Sequence, residues 1–493
     1  MASVFSLAQL ETRDAPKKSS HAWRRYAALI VLTLGLAACG GGGSAEDSAT
    51  NVDPASSAAN SNEATSVKAL AQSVDAGATG NPISVVIKRT GNGDAFVVWR
   101  AFDGTRHNLW FNRYDVNTRQ WGTAALLNLA DQNITGYDLG TDGRGNAFVI
   151  ASTDGPVYAT RYNASKRRWD AEPKKLADVG GDVHIAADFD GNAMAIFSGM
   201  DQQVTAVYYA SQRWMDPVAI GINYTGSGVV GRPNFSLDFE GDAMAVWLFS
   251  RVSTSTVHYN TFNHKSRQWL SVAAPVSPTV PGSAIDGANE NLQVSADSNG
   301  DFFLAWQAYL NPMLTSNPDA VIKTSFFSRK NQTWSQGQIV IPKNQANDVR
   351  LKRALVIPLG NPMILWTQTE GSRVALHSKA YDGTKKQWQP TQIVDEAIGG
   401  NVTSVDLDFD YCGGAYAVWL QNEGSVAGTQ ARSNVAGSRY KVINGKWTRA
   451  KLLEDSPGTA LSPRVTLDID GKGFAAWIQE EGGAFRVKVS RLN

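Results

Sequence analysis

Gly241-Asp242-Ala243-Met244-Ala245-Val246-Trp247 is the stretch on which the reading of this 493-residue chain turns. A glycine sits in an acidic turn that opens with Asp238 and Glu240. An unbroken apolar run follows, and a tryptophan stands six residues after the glycine. A short apolar run bounded by turn residues reads as a strand buried on both faces. The pattern returns at Gly93, Gly145, Gly191, Gly300, Gly360, Gly413 and Gly471. The sixth residue on is Trp99, Ala151, Phe197, Trp247, Trp306, Trp366, Trp419 and Trp477 in turn. Successive glycines are 52, 46, 50, 59, 60, 53 and 58 residues apart. A repeat near fifty residues built from short strands predicts an all-β protein, a β-propeller.

Residues 183–220 give one repeat in full. Val183–Ala187 reads as strand A, Asp188–Asn192 as a turn and Ala193–Phe197 as strand B. After a loop, Val204–Tyr209 is strand C, and Trp214–Ile220 opens strand D on its tryptophan. Four strands make one blade. Strand D opens again at Trp121, Trp169, Trp269, Trp334, Trp388 and Trp447, so that series has seven members against eight glycines. An unpaired outer edge would be a liability. The stretch Val67-Lys68-Ala69-Leu70 precedes the first strand A (83–87) as a strand D precedes each later one. The expectation is eight blades closed by the N-terminal segment, with seven as the alternative. The strand B and strand D aromatics read as packing between blades rather than as a ligand-stacking ladder.

Ahead of the repeats, Lys17, Lys18, Arg24 and Arg25 precede an apolar run over 26–36 and then Leu36-Ala37-Ala38-Cys39. A basic segment, a short apolar core and small residues make an export signal. The run is too short to span a bilayer as a helix, which takes roughly 20 residues. Leu-Ala-Ala-Cys resembles the lipobox of bacterial lipoproteins. That resemblance implies cleavage before Cys39, a diacylglyceryl thioether (with palmitate-type acyl chains) on its sulfur, and, with Gly at position 40 rather than Asp, an outer-membrane address in a Gram-negative envelope. The domains expected are a signal peptide over 1–38, a lipid-anchored linker over 39–66 and the propeller over 67–493. The linker is Gly, Ser, Ala, Asn and Asp and cannot bury a core, so its r.m.s. reach is roughly 25–30 Å. With Cys39 lipidated, no intramolecular disulfide is expected, and Cys412 reads as a small residue of the turn before Gly413.

Without residues 1–38 the chain keeps 41 of its 46 basic and 43 of its 45 acidic residues. A near-neutral body argues against nucleic acid as a partner. The five histidines after the signal (His107, His184, His258, His264, His377) show no metal-ligand spacing, and no nucleophile elbow or phosphate-binding glycine loop occurs. No catalytic residue, metal or cofactor is therefore expected.

Strand order puts A–B and C–D turns on one face and B–C and D–A loops on the other. The longest excursions, 275–290, 308–320 and 421–438, all fall on the second face. Long loops on a rigid scaffold commonly carry binding. They supply the candidate ligand-binding residues Asp286, Glu290, Tyr309, Asn311, Glu423, Gln430 and Arg432. On the opposite face the A–B turns are acidic and the C–D turns basic, which reads as an acidic centre inside a basic rim. That pattern is a candidate cation or anionic-lipid surface, or simply turn chemistry.

The Asp-containing turn ahead of an apolar-Trp strand resembles the Asp-box of sialidase-like propellers. The match is partial: the threonine before the tryptophan is missing throughout, and neither the arginine triad nor the tyrosine nucleophile of sialidases can be placed. A lipid-anchored eight-bladed propeller is also similar to the scaffold lipoprotein of the outer-membrane barrel-assembly machine. The expectation is a non-catalytic binding or scaffold module, held to the membrane by its N-terminal lipid, for an envelope protein or a surface polysaccharide. The alternative is a glycan-active enzyme, a sialidase-like hydrolase or lyase, with its site at the centre of the long-loop face.

Overall fold

A computed structural model describes residues 71–492 except 128, 130, 200–202, 222–228, 252–253, 271–272, 277–285, 311–318, 343–347, 358–359 and 423–431. The described residues form eight antiparallel sheets, each in the order A-B-C-D. Blade 4 is representative: A is Val229–Leu237, B is Ala243–Arg251 and C is Thr254–Asn263. Its strand D is two short pieces, Gln268–Trp269 and Ala274–Pro275. The A strands of consecutive blades touch all the way round, blade 8 meeting blade 1, so they wall a central channel.

Blade 8 is completed by the N-terminal segment, as expected, but by different residues. Ala71–Ser73 pairs with Ala484–Leu492, Ala71 opposite Ser490 and Ser73 opposite Lys488. Val67–Leu70 lies outside the described residues. The register is fixed just beyond the strand. Val74 N donates to Val487 O at 3.0 Å, and Val487 N donates to Asp75 Oδ2 at 3.1 Å. Val394 and Asp395 repeat this with Leu376, and Leu453 and Glu454 with Val435. The apolar-acid pair is thus the terminus of strand D, and Val74-Asp75 is the copy that closes the ring.

The repeated turn follows from its backbone. All eight motif glycines have φ between 76° and 93°, a region that a Cβ disfavours. In six blades the turn opens on Asp, whose carboxylate takes the turn's own amides; Asp238 Oδ1 accepts from Glu240 N and Asp242 N, both at 2.9 Å. The Asp or Asn after the glycine reaches the C–D turn: Asp242 Oδ1 accepts from His264 N at 2.8 Å, and Asn146 Oδ1 from Ala164 N at 3.0 Å. The acidic turns are therefore occupied by turn geometry.

Strand B tryptophans Trp99, Trp247, Trp366, Trp419 and Trp477 are fully buried, each stabilising the core by about 2–3 kcal/mol. Strand D tryptophans reach the preceding blade. Trp169 meets Phe96, Trp334 meets Tyr259, and Trp447 Nε1 donates to Ser378 Oγ. Along the channel, polar side chains of one A strand take the free amides of the next. Ala296 N donates to Ser236 Oγ, Ala354 N to Gln293 Oε1 and Leu467 N to Asp408 Oδ2. Those amides would otherwise be left at an unpaired sheet edge.

Arg329 of blade 5 ties into the acidic turn of blade 4, at 3.2 Å from Asp238, 3.1 Å from Glu240 and 2.5 Å from Asp242. Burial and the neighbouring Asp242 push Asp238 up to about 6, and Arg329 opposes them. A carboxyl whose folded pKa is raised costs stability above that pKa and regains it as pH falls toward its unfolded value. Arg329→Met is therefore expected to lose about 2–3 kcal/mol at neutral pH. The loss should narrow as pH falls through 6 toward 4, read by urea denaturation across that range.

Cys412 is half-buried in the turn before Gly413, the position read for it as a small turn residue.

Candidate functional site

The channel has one feature that all eight blades share and that the repeat motif does not announce. In every blade the pairing of strand A with strand B slips near the end that follows the D–A loop. The residues skipped are Ile83, Thr135, Asp182–Val183, Arg232–Pro233, Asn291–Leu292, Lys352, Thr403–Ser404 and Ser462–Pro463. Asp182, Asn291 and Ser462 hold positive φ of 45°, 57° and 52°. A bulge adds a residue, bends its strand and re-aims side chains. Repeated on innermost strands, it makes a ring at one level of the channel. Thr135, Asp182, Asn291 and Thr403 are exposed there, and Lys352 is half-buried.

Charge is unevenly spread around this ring. Blade 6 carries Arg350, Lys352 and Arg353 on one A strand, Arg350–Val356. Lys352 is pushed below the usual lysine range by burial and by Arg350, and among the described residues no carboxylate offsets them. Arg353 pairs with Asp406 of blade 7 at 2.6 Å. Burial raises Asp406, but Arg353, Arg464 of blade 8, the Val465 amide and Lys88 of blade 1 together hold it below the usual carboxylate range. Burial pushes Asp408 up against Lys88 and the amides of Leu467 and Phe409. Five cations thus face two carboxylates across blades 6, 7, 8 and 1. Such a wall has room for added negative charge.

Blades 2 and 3 differ. Tyr137 is pushed up to about 12 by burial; its hydroxyl accepts from Ser84 Oγ and donates to Val98 O. Asp138 Oδ2 accepts from Ile185 N at 3.0 Å and lies 3.8 Å from His184 Nδ1. Asp138 is thereby engaged in holding blade 3. Among the described residues no group of three metal-ligating side chains occurs. The clefts between blades, such as those lined by Phe326, Trp334 and Tyr381 or by Trp121, Tyr162 and Trp169, are floored by the interblade aromatics and do not reach this cluster.

The residues expected from the long loops fare unevenly. Asp286 and Glu290 belong to strand A of blade 5, Asp286–Ala296, paired with Leu310 and Gln307, rather than to a D–A loop. Tyr309 belongs to strand B, Phe302–Leu310. Its hydroxyl accepts from Gln307 Nε2 at 2.7 Å, and Arg350 lies 5.9 Å from its ring centre. The strands of blade 5 run on into what reads as loop, because an extended polar stretch still pairs when its partner continues. Arg432 is exposed and donates to Pro457 O at 3.0 Å, joining blade 7 to the D–A connection before blade 8. Asn311, Glu423 and Gln430 lie outside the described residues. Sequence reasoning missed Lys88, Arg350, Lys352, Arg353, Asp406 and Arg464. A signal was present: three cations crowd Arg350-Leu351-Lys352-Arg353 on a strand that elsewhere bears mostly apolar, small or acidic residues.

No family model matches the chain, and no curated protein is similar to it in sequence. Solved structures similar in shape include the polysaccharide lyase Uly1, at 11% identity over 76% of this chain and 92% of that one, with a TM-score of 0.47. The Dos1 propeller is 8% identical over 85% and 94% of the two chains, with a TM-score of 0.48. A leech intramolecular trans-sialidase is 10% identical over 84% and 68%, with a TM-score of 0.35. No residue of the channel is assigned from them.

Proposed function

We propose that this chain is a non-catalytic receptor for an acidic polysaccharide, held in the cell envelope by lipid on Cys39 and displaying the long-loop face to its ligand. Lys352 carries the reading. It is a half-buried ammonium beside Arg350 with no carboxylate among the described residues to offset it, and a ligand carboxylate is the group that would. Arg353 and Arg464, shared by Asp406, and Lys88 extend the cationic wall, so a chain bearing repeated carboxylates suits it better than a single anion. The charged wall favours a glycan over the protein partner also expected for this face, since protein interfaces are typically poor in charge at their centre.

Acid–base catalysis is disfavoured by the same geometry. Asp406 is held ionised by the cations around it, which makes it a poor proton donor; Asp408, though pushed up by burial, spends its two oxygens on the Phe409 and Leu467 amides; and Tyr137 is pushed up to about 12. A general acid or base works best with a pKa near the operating pH. The test is a glycan array probed with the full chain carrying Cys39→Ser. Binding should follow uronate- or sialate-bearing polymers and spare neutral ones, and bound polymer should keep its length. Preference for neutral glycans would sink the reading; shortened polymer would move it to the hydrolase or lyase alternative.

The anchor has its own test. Mass analysis of the mature chain is expected to find diacylglycerol on Cys39, and Cys39→Ser should move the protein from the detergent phase to the aqueous phase. Recovery of Cys39 joined to Cys412 would withdraw the anchor.

A further inference from the structure

The face opposite the proposed glycan site is built from A–B and C–D turns. Its C–D tips carry Arg119, Arg167, Arg213, Arg267, Lys386 and Lys446, one on each of six blades, and all six are exposed. Four of them, Arg119, Arg167, Arg267 and Lys386, sit at φ of 58°, 52°, 56° and 53°. Blade 7 uses Gly445 for its C–D turn, at φ 64°. Blades 3 and 5 hold Gln212 and Gln332 at the same position, at φ 61° and 54°, so the left-handed backbone belongs to the turn itself and four blades place a basic side chain on it, where glycine would also fit.

The same face shows large apolar side chains. Phe189, Phe239 and Ile469 occupy one position of the A–B turn in blades 3, 4 and 8 and are 59%, 53% and 66% exposed. Ile443, in the C–D turn of blade 7, is 93% exposed. Of the basic tips, Arg167 is paired with Asp115; of the acids, Asp188 and Asp238 are taken up by turn amides, Asp190 by Arg144 and Glu240 by Arg329.

The course of the chain points to the same face. Ala71–Ser73 runs antiparallel to a strand that ends at Leu492 on the turn side, with Ala71 nearer that side than Ser73. The described chain therefore begins, at Ala71, on the turn side of blade 8.

We propose that the turn face docks on a bilayer surface rich in anionic phospholipid, the basic tips meeting phosphates and Phe189, Phe239, Ile469 and Ile443 entering the interface. Basic and apolar groups act together in this way at membrane surfaces. Docked so, the propeller turns its long-loop face away from the membrane.

Vesicle flotation tests this with the full chain carrying Cys39→Ser, so that lipid on the chain plays no part. The parent is expected to float with phosphatidylglycerol–phosphatidylethanolamine vesicles, not with phosphatidylcholine alone, and to be released by high salt. Combining Arg119→Gly, Arg167→Gly, Arg267→Gly and Lys386→Gly should cut binding about tenfold or more, from the loss of four surface charges. Glycine suits each backbone, so the thermal melt should hold or rise. Phe189→Ser with Ile469→Ser is the second variant and should weaken binding at every salt concentration. Lys352→Met should float like the parent, which separates this proposal from the glycan site. Absence of flotation on anionic vesicles, equal flotation on phosphatidylcholine, or unchanged flotation of both turn-face variants would overturn it.

Discussion

Lys352→Glu is expected to weaken binding of a polyuronate by about 10- to 100-fold, the range of one charge-assisted hydrogen bond of about 1.5–3 kcal/mol. Lys352→Met should lose most of the same affinity. The informative part is stability. Burial and Arg350 both disfavour the charged lysine, and no carboxylate among the described residues compensates. Removing the charge should therefore leave the fold unchanged or raise its stability by up to about 1 kcal/mol. A lysine with a purely structural role would behave the other way, losing stability on replacement. Isothermal titration with the polymer and denaturant melts of the same two variants separate the cases. Unaltered affinity with a weakened fold would refute the assignment.

The second large effect concerns ring closure. Val74 is 2% exposed, and Asp75 supplies the acceptor for Val487 N. Asp75→Ala is expected to cost about 1–3 kcal/mol, the penalty for an orphaned buried amide. Adding Val74→Ala should bring the total to about 3–5 kcal/mol, with some coupling because the two are neighbours. Hydrogen exchange should show the loss first at the amides of Val487 and Val489, on strand C of blade 8. Equal protection in variant and parent would mean that the N-terminal strand does not close the ring.

These two sites mark how far the sequence could be read. The eight glycines and the strand D tryptophans were legible because each answers a local demand, a positive φ or an apolar face, that a single repeat displays. The closing strand was foreseen as a need but placed at Val67–Leu70, on its position ahead of the first strand A; the sharper signal was Val74-Asp75, which repeats Val394-Asp395 and Leu453-Glu454. The acidic turns suggested a charged centre, yet Asp238 and its counterparts spend their oxygens on their own turn. Asp286, Glu290 and Tyr309 looked like loop residues because their neighbours are polar, although strands A and B of blade 5 extend through them. The cation wall was hidden for a different reason. Lys88, Arg353, Asp406 and Arg464 are dispersed over most of the chain and meet only when the ring is shut, so no window of sequence contains them.

The most direct measurement is a crystal structure of the full chain, with Cys39→Ser, bound to an oligouronate. The account predicts a uronate carboxylate at hydrogen-bond distance from Lys352 Nζ, with the sugar chain following the ring of bulges toward Arg464. An oligomer bound elsewhere, in a cleft between blades or on the turn face, with the Lys352 ammonium left without an anion, would contradict it.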